Sequence, residues 1–234
     1  MQLIQMIQSL DDKMPRRPIA LLVGALTVAS LGGCALLQPH PDPTRFYVLT
    51  VPHSSTERTA AGDFKRLRIG LKTVEVPAYL RGSSMVVRTG TNEIHFAEFD
   101  RWAEPLDQGI SRVVKESLSS AHNVDSVTLN SHGDGALDCE VAIRILSCEG
   151  VRVENGGSSI RFVSTWEVRA VGTNSMATKS GGFTAGAVAW DGKNYAQLAE
   201  LLSEAIARTS TALAADLLTD AAPPTQSNHA NSKP

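Results

Sequence analysis

ALDCEVAIRILSCEG, residues 136–150, followed by SIRFVSTWEVRAVG, residues 159–172, is the stretch on which the fold turns. Both segments are strands. A Gly-rich segment through Ala189 continues them, and the three form an antiparallel meander. The turn candidates are Asn155-Gly156-Gly157 and Gly172-Thr173-Asn174, whose residue types tolerate the backbone angles of tight turns. Upstream, Val124–Leu129 is a short strand, and MVVRTG with NEIHFAEF forms a hairpin around Thr89-Gly90-Thr91-Asn92. RLRIGLKTVEVP alternates, with Leu67, Ile69 and Leu71 on one face and Arg66, Arg68 and Lys72 near or on the other. That pattern predicts a half-buried strand ended by Pro77. RFYVLT, Arg45–Thr50, is a further strand candidate, and SSTERTAAGD after it is a loop.

Two amphipathic helices punctuate these strands. The first begins near Glu104-Pro105, with Pro near the first-turn position it tolerates and Asp107 near the positive helix end. Leu106, Ile110, Val113, Val114 and Leu118 make its apolar face. The second runs from about Tyr195 to Thr219, with a stripe of Tyr195, Leu198, Leu202, Ala205, Ile206, Thr209, Leu213 and Leu217. The predicted class is α/β or α+β: a layered mixed or antiparallel sheet with two main amphipathic helices packed on it.

Cys139 and Cys148 both fall on the first long strand. Nine residues of continuous strand separate them by about 30 Å and, at an odd offset, point them to opposite faces. A disulfide needs Cα atoms within about 7 Å, so pairing would require a turn inside the strand. Two buried free thiols are the simpler expectation.

The remaining cysteine belongs to the other end of the chain. Lys13, Arg16 and Arg17 precede twelve apolar or small residues, Ile19–Ser30, the length of a signal-peptide core and too short for a bilayer span. Leu31-Gly32-Gly33-Cys34 follows and resembles the lipobox of bacterial lipoproteins. Small side chains let a signal peptidase reach the backbone, and the Cys34 sulfur takes the diacylglycerol. The resemblance implies cleavage before Cys34 and an acylated N-terminus, palmitate among its acyl groups. The segment before Lys13 is longer than such a leader needs, which leaves Met14 as an alternative start. Ala35 rather than Asp after the Cys implies, by resemblance to Gram-negative lipoproteins, sorting to the periplasmic face of the outer membrane.

The chain of 234 residues therefore divides into a signal peptide (1–33), a lipidated Cys with a Pro-rich tether (34–44), one domain (45–220) and a disordered tail (221–234). Without residues 1–33 it keeps 19 basic and 22 acidic side chains, close to neutral. That balance excludes a dedicated nucleic-acid binder.

The motifs of common chemistries are missing. The chain has no GxGxxG, GxxxxGK[ST], HExxH or GxSxG; Gly157-Ser158-Ser159-Ile160 lacks the second Gly of the last. His40, His53, His95, His122, His132 and His229 show no metal-ligand spacing, and Asp134 and Asp138 lack the other ligands of a calcium loop. No catalytic residue, metal site or cofactor is expected.

EFDRWAEPLDQGISRVVKESL, Glu98–Leu118, together with Arg45-Phe46-Tyr47-Val48-Leu49 and Val74-Glu75-Val76-Pro77-Ala78-Tyr79-Leu80-Arg81, resembles the ABC-type transport auxiliary lipoprotein family, which includes the YmbA/PqiC-like lipoproteins. The order of these features and the closing amphipathic helix match over nearly the whole mature domain. The Gly/Ser-rich 170–186 region and the long tail depart from the pattern. The resemblance implies a non-enzymatic auxiliary component, anchored at the outer membrane, of an MCE/ABC-type system moving phospholipids or other hydrophobic molecules between membranes. Its partners would be a periplasmic MCE-domain protein and an inner-membrane permease, with a homo-oligomer left open. A lipoprotein that scaffolds or activates a cell-envelope enzyme is the second function class. Partner-contact candidates are Tyr79, Leu80, Arg81, Arg101 and Trp102. For Trp102 the structural alternative is a hydrophobic staple that sets the helix entry angle. Glu104 and Asp107 suit the positive helix end.

Overall fold

The computed structural model describes residues 41–52, 66–130, 137–153, 156–171 and 178–219. Its contacts fall into two units, Met1–Pro43 and Thr44–Pro234. Every described strand and helix belongs to the second. The lipobox with Cys34, most of the tether, the tail, Asp134, His40, His53, His132 and His229 lie outside the described residues, as do Asn155 and the turn candidate at 172–174.

The fold is α+β, an open mixed sheet of nine strands with two helices among the described residues. In chain order the strands are β1 (Arg45–Tyr47), β2 (Leu67–Leu71), β3 (Ser84–Arg88), β4 (Ile94–Trp102), β5 (Val124–Leu129), β6 (Cys139–Arg152), β7 (Ser158–Ala170), β8 (Thr178–Thr184) and β9 (Ala189–Trp190). The helices are α1 (Leu106–Ser119) and α2 (Tyr195–Thr219); a 3-10 turn covers Ala78–Leu80.

The long pair β6–β7 is the spine, antiparallel from Cys139 opposite Ala170 to Arg152 opposite Ser158. Buried residues recur at every second position of β7: Ile160, Phe162, Ser164, Trp166 and Val168. That period of two buries one face. β6 matches it with Val141, Ile143 and Ile145, and then the register shifts between Ile145 and Ser147. Leu146 is the extra residue and is 48% exposed. The bulge corrects one expectation. Cys139 lies opposite Ala170 and Cys148 opposite Phe162, and both partners are on the same face of β7. The extra residue cancels the odd offset, so the two thiols share the buried face and remain free.

Each edge of the spine is covered by two successive strands. Along β6 run β2, then Glu75, then β3, all parallel to it. The strand expected to reach Pro77 therefore stops at Leu71. Only Glu75 rejoins the ladder, donating its N–H to Ile143 O at 3.0 Å and accepting from Ile145 N at 2.8 Å. Along β7 run β8 and then β9, so the predicted third strand of the meander is two short ones. Beyond β2 lies β5; beyond β3 lie β4, by the expected hairpin, and then β1, parallel to β4 and three residues long rather than six.

Both helices pack as their stripes predict. Leu106, Ile110, Val113, Val114 and Leu118 of α1 are buried, as are Leu198, Leu202, Ala205, Ile206, Thr209, Leu213 and Leu217 of α2. The helices pack on each other, α1 against β5 and α2 against β6, β7 and β8. Thr209 carries its hydroxyl into the core and shares a hydrogen bond with Ser164 at 3.2 Å. Gly150 is required by a close approach: a Cβ there would stand 2.7 Å from the Trp190 ring. The other face of the sheet is laced with charge. Glu140 joins Lys72 and Arg169, and Arg144 joins Glu75 at 2.8 Å.

Candidate functional site

The three motif segments are far apart in sequence and meet at one corner of the sheet. Trp102, at the end of β4, donates its N–H to Ser83 O at 2.7 Å, just after the Tyr79-Leu80-Arg81 turn. Arg101 is the ladder partner of Ser84 on one side and of Phe46 on the other. Tyr47 is the partner of Trp102, and its carbonyl accepts from Ala103 N at 2.8 Å. β4 thus stitches the opening RFYVL segment to the turn.

Several motif side chains close this corner from inside. Asp100 is buried, accepts from the Tyr47 hydroxyl at 2.8 Å and pairs with Arg45 at 2.9 Å. Burial, with the Asp100 hydrogen bond next, raises the Tyr47 pKa. Arg112, two turns into α1, reaches back to Leu49 O at 2.9 Å and to Glu104 Oε1 at 2.5 Å. Glu104 therefore answers a guanidinium as well as sitting near the helix end, while Asp107 is the acid of the first turn. Pro105 at the N-cap supplies no side-chain cap.

The candidate residues separate by exposure. Leu80 and Trp102 are core residues, so their side chains support the corner rather than present a surface. Arg81 and Arg101 are exposed, and Arg101 touches the Glu98 carbonyl at 3.5 Å. Tyr79 is half-buried against an ion pair that the sequence did not mark: Arg88 Nε to Glu149 Oε1, 2.7 Å, the carboxylate fully buried. Burial first, and the Glu149 carboxylate next, push the Tyr79 pKa up to about 12. Glu149, Arg88 and Arg112 went unnoticed because their partners are 61 and 63 residues away, beyond any local pattern.

A cleft of about 140 Å³ lies on the outer sheet face between Lys72, Glu140, Glu167, Arg169 and Thr178. It is shallow, ion-paired and well below the volume of ordinary ligand sites. Among the described residues no three His, Cys, Asp or Glu side chains are grouped to hold a metal ion.

The family model for the ABC-type transport auxiliary lipoprotein component matches residues 47–214, which takes in β2 to β9 and most of α2. The chain belongs to that family. Within the auxiliary lipoprotein family, it is similar to the intermembrane transport lipoprotein PqiC of Escherichia coli (strain K12), 31% identical over 97 residues, covering 41% of this chain and 49% of the relative. PqiC of Shigella flexneri matches at the same identity and coverage. The chain spans about half the length of these curated relatives. Among solved structures, protein XCC0632 from Xanthomonas campestris has the same fold, with a TM-score of 0.61, 14% identity, and coverage of 75% of this chain and 95% of that one. A second crystal structure matches with a TM-score of 0.55 and 18% identity, covering 74% and 98%. These auxiliary lipoproteins serve ABC-type transport, and among the described residues of this member no helix is long and apolar enough to cross a membrane.

Proposed function

We propose that this auxiliary lipoprotein is acylated at Cys34, held on the periplasmic face of the outer membrane, and serves an MCE/ABC-type intermembrane lipid-transport system as a non-enzymatic partner. The observation that carries the reading is the family match over residues 47–214 downstream of a lipobox. The name of the 31% identical PqiC relatives, intermembrane transport lipoprotein, supports it. Several acyl chains at roughly 0.8 kcal/mol per buried methylene hold a protein firmly on a membrane. The tether to Thr44 leads into a domain of residues 45–220, and the exposed Arg81 at the stitched corner is its contact for a periplasmic MCE-domain protein, which a permease would join at the inner membrane. Affinity capture from solubilised membranes tests the reading. Recovery of an MCE-domain protein, reduced by Arg81→Glu, is expected. Capture of a cell-wall enzyme with no MCE component would sink it. A Cys34→Ala variant that stays in the outer-membrane fraction would sink the anchoring.

A further inference from the structure

The core accounts for only half of the apolar opening segment. Leu49 points inward and is buried, and Tyr47 is half-buried beside Asp100. Phe46 and Val48 alternate with them and face out, 64% and 49% exposed. Phe46 lies beside Arg101 of β4. Phe99, two residues before Arg101 and 41% exposed, falls on the same side by strand alternation. Farther along β4, Phe96 is 48% exposed. Four of the eight large apolar side chains exposed among the described residues thus sit on β1, β4 or the residue after β1. Of the others, Leu129 is on β5 and Leu146 on β6, and Val153 and Val171 follow β6 and β7. Single exposures are ordinary; three phenylalanines on one pair of strands mark an interaction surface.

The chain before β1 says what covers that surface. Phe46 is twelve residues after Cys34, a reach of at most about 43 Å even fully extended. If Cys34 is acylated, this strand is the first part of the domain to meet the bilayer. Apolar rings beside an arginine suit the boundary between lipid headgroups and acyl chains. A second copy is the other occupant, and the oligomeric state decides against or for it. Resting on the anchor reading, we propose that the outer face of β1 and β4, formed by Phe46, Val48 and Phe99 beside Arg101, docks on the phospholipid surface and orients the domain on its membrane.

The test uses the full acylated protein in vesicles of three parts phosphatidylethanolamine to one of phosphatidylglycerol, a quarter of the former brominated on its acyl chains. The native Trp102, Trp166 and Trp190 are all buried and give a low quenching background. Phe46→Trp and Phe99→Trp are expected to lose at least about half of their added emission to the bromines, whereas Glu200→Trp, exposed on α2 over the opposite face of the sheet, keeps its own. No quenching in the first two, or equal quenching in all three, overturns the proposal. Failure of the anchor is read separately, from the mass of the mature chain. If that mass shows no acyl groups, the same protein is added to vesicles from solution. Co-flotation that falls several-fold in Phe46→Ser with Phe99→Ser upholds the face without the anchor, and absence of co-flotation overturns it. Sedimentation showing that this double variant turns an oligomer into a monomer, with no quenching, assigns the face to a second copy and overturns the proposal.

Discussion

Trp102 and Arg101 are neighbours with opposite lives, because a strand sends alternate side chains to opposite faces. Trp102 is 6% exposed and belongs to the core. Trp102→Ala is expected to cost about 3–5 kcal/mol, seen as a lower urea midpoint, while Arg101→Ala stays within about 0.5 kcal/mol. Equal midpoints would contradict the placement of the indole. Three titratable groups make a second expectation at this scale. Burial pushes the thiols of Cys139 and Cys148 up to about 11 and about 12, and Tyr79 up to about 12. The unfolded chain releases these protons from about pH 9–10, and the folded chain holds them longer. Stability is therefore complete below about pH 9 and declines as pH rises toward 12. Urea unfolding at pH 8, 9.5 and 11 checks this, and a stability that rises over that range would refute it. Native thiols should also resist a thiol reagent that labels them on unfolding. Residue type and alternation were enough to anticipate free cysteines, but not their shared face. Nothing in the side chain of Leu146 announces that it will be the one residue left out of the ladder.

At the scale of elements, α1 and α2 start in different ways. Asn194 accepts from Ala196 N at 3.1 Å and Gln197 N at 3.2 Å, a side-chain cap on α2. Asp191 in turn accepts from Lys193 N at 2.8 Å and Asn194 N at 2.6 Å, and these bonds lower its pKa. Asn194→Ala is expected to cost about 1 kcal/mol by chemical denaturation. A change below the error of the measurement would mean that packing alone defines the helix start. The apolar stripes of both helices were readable because a period of 3.6 records which face is covered. The limits of β2 were not. Leu67 to Val76 keeps an alternating look, yet the chain leaves the ladder after Leu71 and returns only at Glu75, where β6 offers both an acceptor and a donor. Pairing depends on a partner 69 residues away, and the local pattern holds no record of it.

For the whole molecule, the order of the sheet sets the order of opening. β6 and β7 are hydrogen-bonded along both edges and lie beneath α2. β5 and β8 are edge strands, and β1 and β9 are short. Native-state hydrogen exchange is expected to find the slowest amides in β6 and β7, with β1, β8 and β9 exchanging earlier. Slowest exchange in β8 would overturn that ranking. The meander was legible because its strands are consecutive. The parallel pairings of β2, β3 and β1 were not, since each is closed by contacts distant in sequence. The same distance hid the corner: three motifs were recognisable one by one, and only the fold reveals that β4 joins them. That corner has a mechanical meaning. The chain enters the domain through β1, whose three ladder positions run parallel to β4, with Arg45 fastened to Asp100 at the entry end. Tension drawn through the residues before β1 is taken first by Arg45 and then passed along β4 to Ser83 on one side and through Leu49 and Arg112 to α1 on the other. A pull on the N-terminus therefore loads the edge strand β1 first, and its contacts pass the load to both the sheet and the helix layer.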